Sequence, residues 1–394
     1  MNVITTTAEL AALCARLARH PFVAVDTEFM RETTFWPKLC LIQLAGPDPA
    51  DAACVDPLAR GIDLTPFHKL MADSRVLKVF HAARQDVEII YVMGKIIPHP
   101  LFDTQVAAMV CGFGESISYV NLVKQLTNAD IDKTSRFTDW ARRPLSAKQL
   151  EYALGDVTHL CDVYRKLEAE LDATGRAHWL EQEMAVLEDP NSYETKPEDS
   201  WRRLKAKVRG RKGLAVLIEL AAWRERAAQS QDVPRNRILR DEQLYDIANH
   251  APTEIEQLSE LRTLSTGFAR SSRAKEIVDC VNAGLARDLK SLPAQEQGVV
   301  VPPEKMALVE LLRVLLKASA ARNRVASRLI ADAEDIERIA VEKSPDVAAL
   351  KGWRRELFGA DALRLKAGEL AISVEDGRVV TVPVPTLATG HPAL

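Results

Sequence analysis

The chain carries 394 residues, of which 47% are hydrophobic and 27% charged, and its formal net charge is −3. That length is enough for two or three domains of about 100 to 200 residues each, and the composition is that of a globular protein. No apolar run approaches the roughly 20 residues that span a bilayer, which excludes a helical membrane protein, and a charge so near zero leaves any nucleic-acid function to local patches.

Met1 to Thr7 has no basic stretch leading into an apolar core, so a cytoplasmic location is expected. The six cysteines, at 14, 40, 54, 111, 161 and 280, include no Cys-x-x-Cys pair. Their scatter argues against a zinc knuckle or redox motif and for small, reduced core residues.

In chain order, Ala8 to Ala18 has helical spacing of leucines, and Phe22 to Met30 reads as a buried strand. Leu39 to Ala45 and Ala52 to Val55 read as two more strands around a Gly46-Pro47-Asp48-Pro49 turn, a meander with the acidic strand at one side. A helix over Leu64 to Met71, a strand over Val76 to Phe80 and a helix over Arg84 to Met93 follow. From there to Leu187 the pattern is helical, interrupted by a polar loop at Asp130 to Arg143. This predicts an α/β domain over residues 1–188.

Asp189 to Pro197 is polar and proline-bearing, and with the basic residues after it predicts a linker over 189–208. Leu214 to Gln229, Glu242 to Asn249, Thr253 to Leu258 and Ser272 to Leu289 then predict an all-α module over 209–290. Ser291 to Pro303 is a second linker, and Lys305 to Leu316, Val325 to Ile330, Ala333 to Val341 and Trp353 to Phe358 repeat the helical rhythm over 304–375. The remainder, 376–394, reads as a loosely held tail with a short β-like piece at Arg378 to Val382.

The chemistry starts with Asp26 and Glu28, which point to one face at the end of the Phe22 strand because strand side chains alternate. An Asp-x-Glu pair alone is weak. The strand ending at Phe80 delivers His81, and the next helix opens with Asp86, while Tyr152 and Asp156 stand four apart on one helix face. Together Asp26, Glu28, Asp86 and Asp156 offer hard oxygen donors without histidine or thiolate, a set suited to Mg²⁺ or Mn²⁺. Two such ions suit phosphodiester hydrolysis, with Asp26 bridging both, Glu28 and Asp156 on the nucleophile side, Asp86 supporting the leaving-group side through water, and Tyr152 orienting the attacking water. An unperturbed tyrosine, titrating near pH 10, is a poor general base, so the cations have to acidify that water.

This set, with Val25-Asp26-Thr27-Glu28-Phe29, His81-Ala82-Ala83-Arg84-Gln85-Asp86, Phe102-Asp103-Thr104-Gln105 and the run from Arg142 to Ala153, resembles the tyrosine-bearing branch of the DEDD exonuclease superfamily and is similar to the ribonuclease D family. The resemblance covers the first half, and the second half resembles the helical HRDC modules that follow the nuclease domain in that family. It implies an α/β RNase H-like exonuclease domain with a mixed sheet, followed by two HRDC-like modules. The implied activity is a divalent-metal-dependent 3′-to-5′ exoribonuclease acting on structured RNA, tRNA 3′ ends included.

Around the acids, Thr27, Phe29 and Met30 are candidate contacts for the terminal nucleotide, with Phe29 equally fit for the core. His81 and Gln85 are candidates for substrate contact, His81 being equally fit as a buried, satisfied histidine. Asp103, before a helical run, reads as a structural N-cap. The loop with Trp140, Arg142 and Arg143 mixes bases and aromatics, which suits single strands as well as it suits a solvated loop with one packed tryptophan. Arg202, Arg203, Lys205 and Lys207 belong to the densest basic run, a candidate phosphate track that Arg235, Arg237 and Arg240 extend. The expected partner is RNA, the expected state a monomer. The rival readings are a DNA exonuclease of the same superfamily and a non-catalytic RNA-binding protein.

Overall fold

A computed structural model describes residues 3–132, 138–194, 196–205, 208–265, 267–293 and 299–385. Lys207, and residues 133–137 of the polar loop, lie outside the described residues.

The first half is built on β1 (Val3–Ile4), α1 (Thr7–Leu17), β2 (Phe22–Met30), β3 (Lys38–Ala45), β4 (Ala53–Val55), α2 (Thr65–Ala72), β5 (Leu77–Phe80), α3 (Arg84–Gly94), β6 (Leu101–Asp103), α4 (Thr104–Val110), α5 (Tyr119–Thr127), α6 (Ala147–Thr174) and α7 (Glu181–Glu188). Among the described residues the strands form a six-stranded mixed sheet in the order β1-β4-β3-β2-β5-β6. β2 runs antiparallel to β3 and parallel to β5. The acidic strand is therefore central to the sheet, and lies at one side only of the β2-β3-β4 meander. β6 interrupts the stretch expected to be almost entirely helical.

Alternation sorts β2 into two faces. Phe22 and Ala24 pack with Val157, Leu160 and Cys161 of α6, whereas Val23 and Val25 join the core formed with α1, α2 and α3. α6 starts where Ser146 and Gln149 cap each other in a capping box, and ends at Gly175 in a left-handed conformation. Its long body carries Tyr152 and Asp156 past the end of β2.

The second half holds α8 (Gly210–Gln231), α9 (Arg235–Ile238), α10 (Asp241–His250), α11 (Ile255–Leu258) and α12 (Ser272–Ala286) as one module. α12 crosses α8 so closely that a Cβ on Gly284 would lie 2.6 Å from Val216 Cα. The segment expected to be a linker is ordered into this module: Pro197–Arg203 forms a 3-10 helix, and Trp201 is buried in the module's core. A second module follows with α13 (Met306–Asn323), α14 (Ser327–Ile330), α15 (Ala333–Val341) and α16 (Gly352–Arg354), which runs through a π turn (Arg355–Gly359) into α17 (Ala360–Ala367). β7 (Leu370–Glu375) and β8 (Arg378–Pro383) then pair as a hairpin across Asp376 and Gly377, both at positive φ. The tail expected from residue 376 is thus the second strand of that hairpin as far as Pro383.

The second module shares its core with the nuclease half. Trp353 stacks on Trp179 at 4.5 Å with the rings 8° from parallel. Arg354 reaches Gln182 and Glu183 and donates to Leu329 O at 2.7 Å, and Ala326 N–H donates to Met109 O at 2.9 Å.

Candidate active site

Asp26 and Glu28 project from the same face of β2, and Asp156 comes down from α6 to meet them. One carboxylate oxygen from each lies within 4.8 Å of the others. Asp86, at the start of α3, faces the same cavity of about 840 Å³ from the other side of β2, and the Thr27 hydroxyl donates to its Oδ1. The structure thus groups three of the four expected acids tightly and sets Asp86 beside them.

Burial pushes the Asp26 carboxyl up to about 7, and burial, then the charge of Asp26, pushes Asp86 well above its ordinary value. A cluster of carboxylate oxygens with no histidine or thiolate in the group fits hard divalent cations, and fits zinc poorly.

Tyr152 stands one turn from Asp156 and hydrogen-bonds its carboxylate. Burial first, then the charges of Asp156 and Glu28, raise the phenol far beyond its ordinary value, so it keeps its proton. Trp140 packs behind it at 6.2 Å between ring centroids and is only 2% exposed. The ring is packed, and it also belongs to the lining of the cavity. Arg143 departs from the expected phosphate contact. Its guanidinium donates to both carboxylate oxygens of Asp56 at 2.7 Å, to Trp140 O at 2.7 Å and to Cys40 O at 2.6 Å, a strap across the start of α6 and not a phosphate contact. Arg142 is exposed beside it.

Thr27, Phe29, Met30, His81 and Gln85 all line the cavity, with Phe29 and Met30 also packed on the core. The Thr104 hydroxyl donates to Phe80 O at 3.0 Å, so the 3.0 Å contact between His81 Nδ1 and Thr104 Oγ1 has the histidine as donor. That leaves Nε2 as an acceptor, and burial lowers the ring to about 4, keeping it neutral. Arg202, which stacks over Trp201 at 4.9 Å, Arg203 and Lys205 are exposed on the first helical module, away from the cavity lining.

Two residues, Tyr119 and Gln43, carried no signal in the sequence, and a third, Asp103, does more than its expected cap. Tyr119 lines the cavity and donates to Asp156 O at 2.5 Å. Gln43, the register partner of Asp26, is fully buried, and neither of its amide atoms has a hydrogen-bond partner among the described residues. Asp103 caps α4 as expected, yet also accepts from Ala82 N–H and Ala83 N–H at 2.9 Å each, holding the turn at Ala82 (φ 57°) that leads into the Asp86 helix.

Residues 1–172 match the family described as 3′-5′ exonuclease, and residues 213–281 match the HRDC domain. Ribonuclease D of Nitrobacter hamburgensis is 55% identical over 385 residues, 97% of this chain and 99% of that protein. The chain belongs to the ribonuclease D family. Ribonuclease D of Gluconacetobacter diazotrophicus is 48% identical over 97% of this chain and 96% of its own. Escherichia coli RNase D, described as an exoribonuclease involved in structured RNA processing, shares the fold at a TM-score of 0.79 and 28% identity, over 94% of this chain and 99% of that one. As a ribonuclease D family member the chain is a 3′-5′ exoribonuclease that acts by hydrolysis, and exonucleases of this type depend on divalent metal.

Proposed function

We propose that this ribonuclease trims the 3′ ends of structured RNA, tRNA precursors among them, one nucleoside 5′-monophosphate at a time. Asp26, Glu28, Asp86 and Asp156 would hold two divalent cations, Mg²⁺ or Mn²⁺. When bound, such ions lower the pKa of water and offset charge on a leaving oxygen. The observation that carries this reading is the group Asp26, Glu28 and Asp156 within 4.8 Å at the wall of a cavity large enough for a terminal nucleotide.

The chain's own residues have the remaining roles. Tyr152, fixed by Asp156, orients the attacking water through its hydroxyl. Thr27 fixes Asp86. Phe29 and Met30 offer an apolar wall to the terminal base. The free acceptor on neutral His81 suits a ribose hydroxyl, a donor that RNA supplies more richly than DNA. The exposed arginines of the first module would hold phosphates outside the cavity. A monomer acting in the cytoplasm is the simplest assembly consistent with this reading.

A 5′-labelled tRNA precursor and a DNA of the same sequence, each with a free or a blocked 3′ end, test it. The expected result is a ladder of one-nucleotide steps on the free RNA end, 5′-monophosphates as products, and silence with a chelator or a blocked end. Faster shortening of DNA would favour the DNA-exonuclease reading, and internal cuts would contradict both.

A further inference from the structure

The first helical module does more than lie beside the nuclease domain: it holds the loop that continues the catalytic strand. After Met30 the chain turns through residues 31–37 into β3, and the tip of that turn, Phe35, is 5% exposed because it is inserted in the core of the first module with Trp201 and Leu217. Asp232, the left-handed C-cap of α8, accepts from Phe35 N–H at 3.0 Å and from Trp36 N–H at 2.9 Å through one oxygen, Oδ1. Trp36 Nε1 donates to Gln229 O at 3.4 Å. Arg235 lies 4.6 Å over the Phe35 ring and is itself fixed by Glu225, both oxygens at 2.5 Å, with Glu225 1% exposed. The near end of the same turn is tied to α3, where Arg31 forks onto Glu88 at 2.8 and 2.9 Å.

Between these two anchors and the acids there is little slack. Glu28 sits at the β2 bulge, Phe29, Met30 and Glu32 line the cavity, and Phe35 follows within a few residues. We propose that Asp232 is a positioning residue for the active site: by clamping Phe35 and Trp36 it sets the course of the strand end that carries Glu28, Phe29 and Met30, so the first module governs turnover as well as RNA grip. This rests on the reading that the cavity hydrolyses RNA 3′ ends.

A diribonucleotide with a 5′-phosphate, too short to bridge from the cavity to the module's surface, separates the two roles. The chain is compared with Asp232→Gly, which removes the acceptor while tolerating the left-handed backbone, and Asp232→Asn, which keeps both. At saturating Mg²⁺, Asp232→Gly is expected to lose about tenfold in kcat on the dinucleotide, the scale of a small misplacement of a reacting group, with KM little changed. Asp232→Asn should stay within about twofold of the parent. Amide exchange over residues 28–37 should quicken in Asp232→Gly alone. Phe35→Leu, which loosens the clamp from the nuclease side, should reproduce the kcat loss should the glycine variant fold poorly.

A glycine variant that cleaves the dinucleotide at the parental rate, or that raises only KM for long RNA, overturns the proposal. So does an asparagine variant that falls as far as the glycine one. A parent inactive on the tRNA precursor as well as on the dinucleotide would instead sink the exoribonuclease reading, and the exchange measurement would still decide the clamp.

Discussion

Tyr152 matters as a fixed hydroxyl. Burial first, and then its carboxylate neighbours, raise its phenol far beyond its ordinary value in the metal-free chain. Replacing it with phenylalanine keeps the packing against Trp140 and removes only the hydroxyl. Tyr152→Phe should therefore lower kcat by about 10- to 100-fold while calorimetry finds cation affinity unchanged. His81 gives a second test at this scale. Its ordinary value of 6.5 is lowered to about 4 by burial, so the unfolded chain binds a proton that the folded chain refuses between those values. The stability it supports is complete above about pH 6.5 and drains away as pH falls toward 4. Urea unfolding at pH 7 and pH 5 should show the parent losing on the order of 1–2 kcal/mol more than His81→Gln. Asp26, Glu28, Tyr152 and Asp156 were legible because their spacing is local, two apart on a strand and four apart on a helix, and Asp86 because it opens the helix after a strand. The roles of Trp140 and Arg143 were not, since a basic aromatic loop reads alike whether its side chains meet solvent or Asp56, 87 residues away.

At the scale of elements, the site is the meeting of β2 with α6, and both were visible in the hydrophobic pattern. β1 and β6, of two and three residues, were not: strands so short carry no period, and β4, equally short, was readable only beside the Gly46 to Pro49 turn. Beside the apolar packing of α6 on the sheet, one side chain straps the start of the helix. Arg143 satisfies Asp56, a carboxylate 8% exposed, and two backbone carbonyls. Arg143→Ala would leave that carboxylate buried and unpaired, and should cost about 3 kcal/mol in chemical denaturation. Arg143→Lys should rescue little of it, since an ammonium cannot reproduce the forked geometry. Restoration of full stability by lysine would show that charge alone suffices.

Over the whole molecule, two modules that share a helical rhythm in sequence are joined to the nuclease domain in different ways. The first has its own core and takes in one loop, Phe35 and Trp36. The second continues the nuclease core through Trp353 and Trp179. Neither docking was legible, because each pairs residues more than 170 positions apart and no local pattern encodes the partner. Trp353→Ala should cost about 3–5 kcal/mol and quicken amide exchange in α7 and α13 together, leaving α8 and α12 protected. Exchange that changes in α13 alone would mean that the second module folds independently of the nuclease half.

The central claim is that the carboxylate cluster trims RNA from the 3′ end with the help of divalent cations. The most direct measurement is the rate of 3′ shortening of a labelled tRNA precursor by the parent and by Asp26→Asn, at equal protein and Mg²⁺. The account predicts stepwise trimming by the parent and a loss of at least about a thousandfold in the variant, with RNA affinity kept. Trimming by Asp26→Asn at a rate close to the parent's would contradict it.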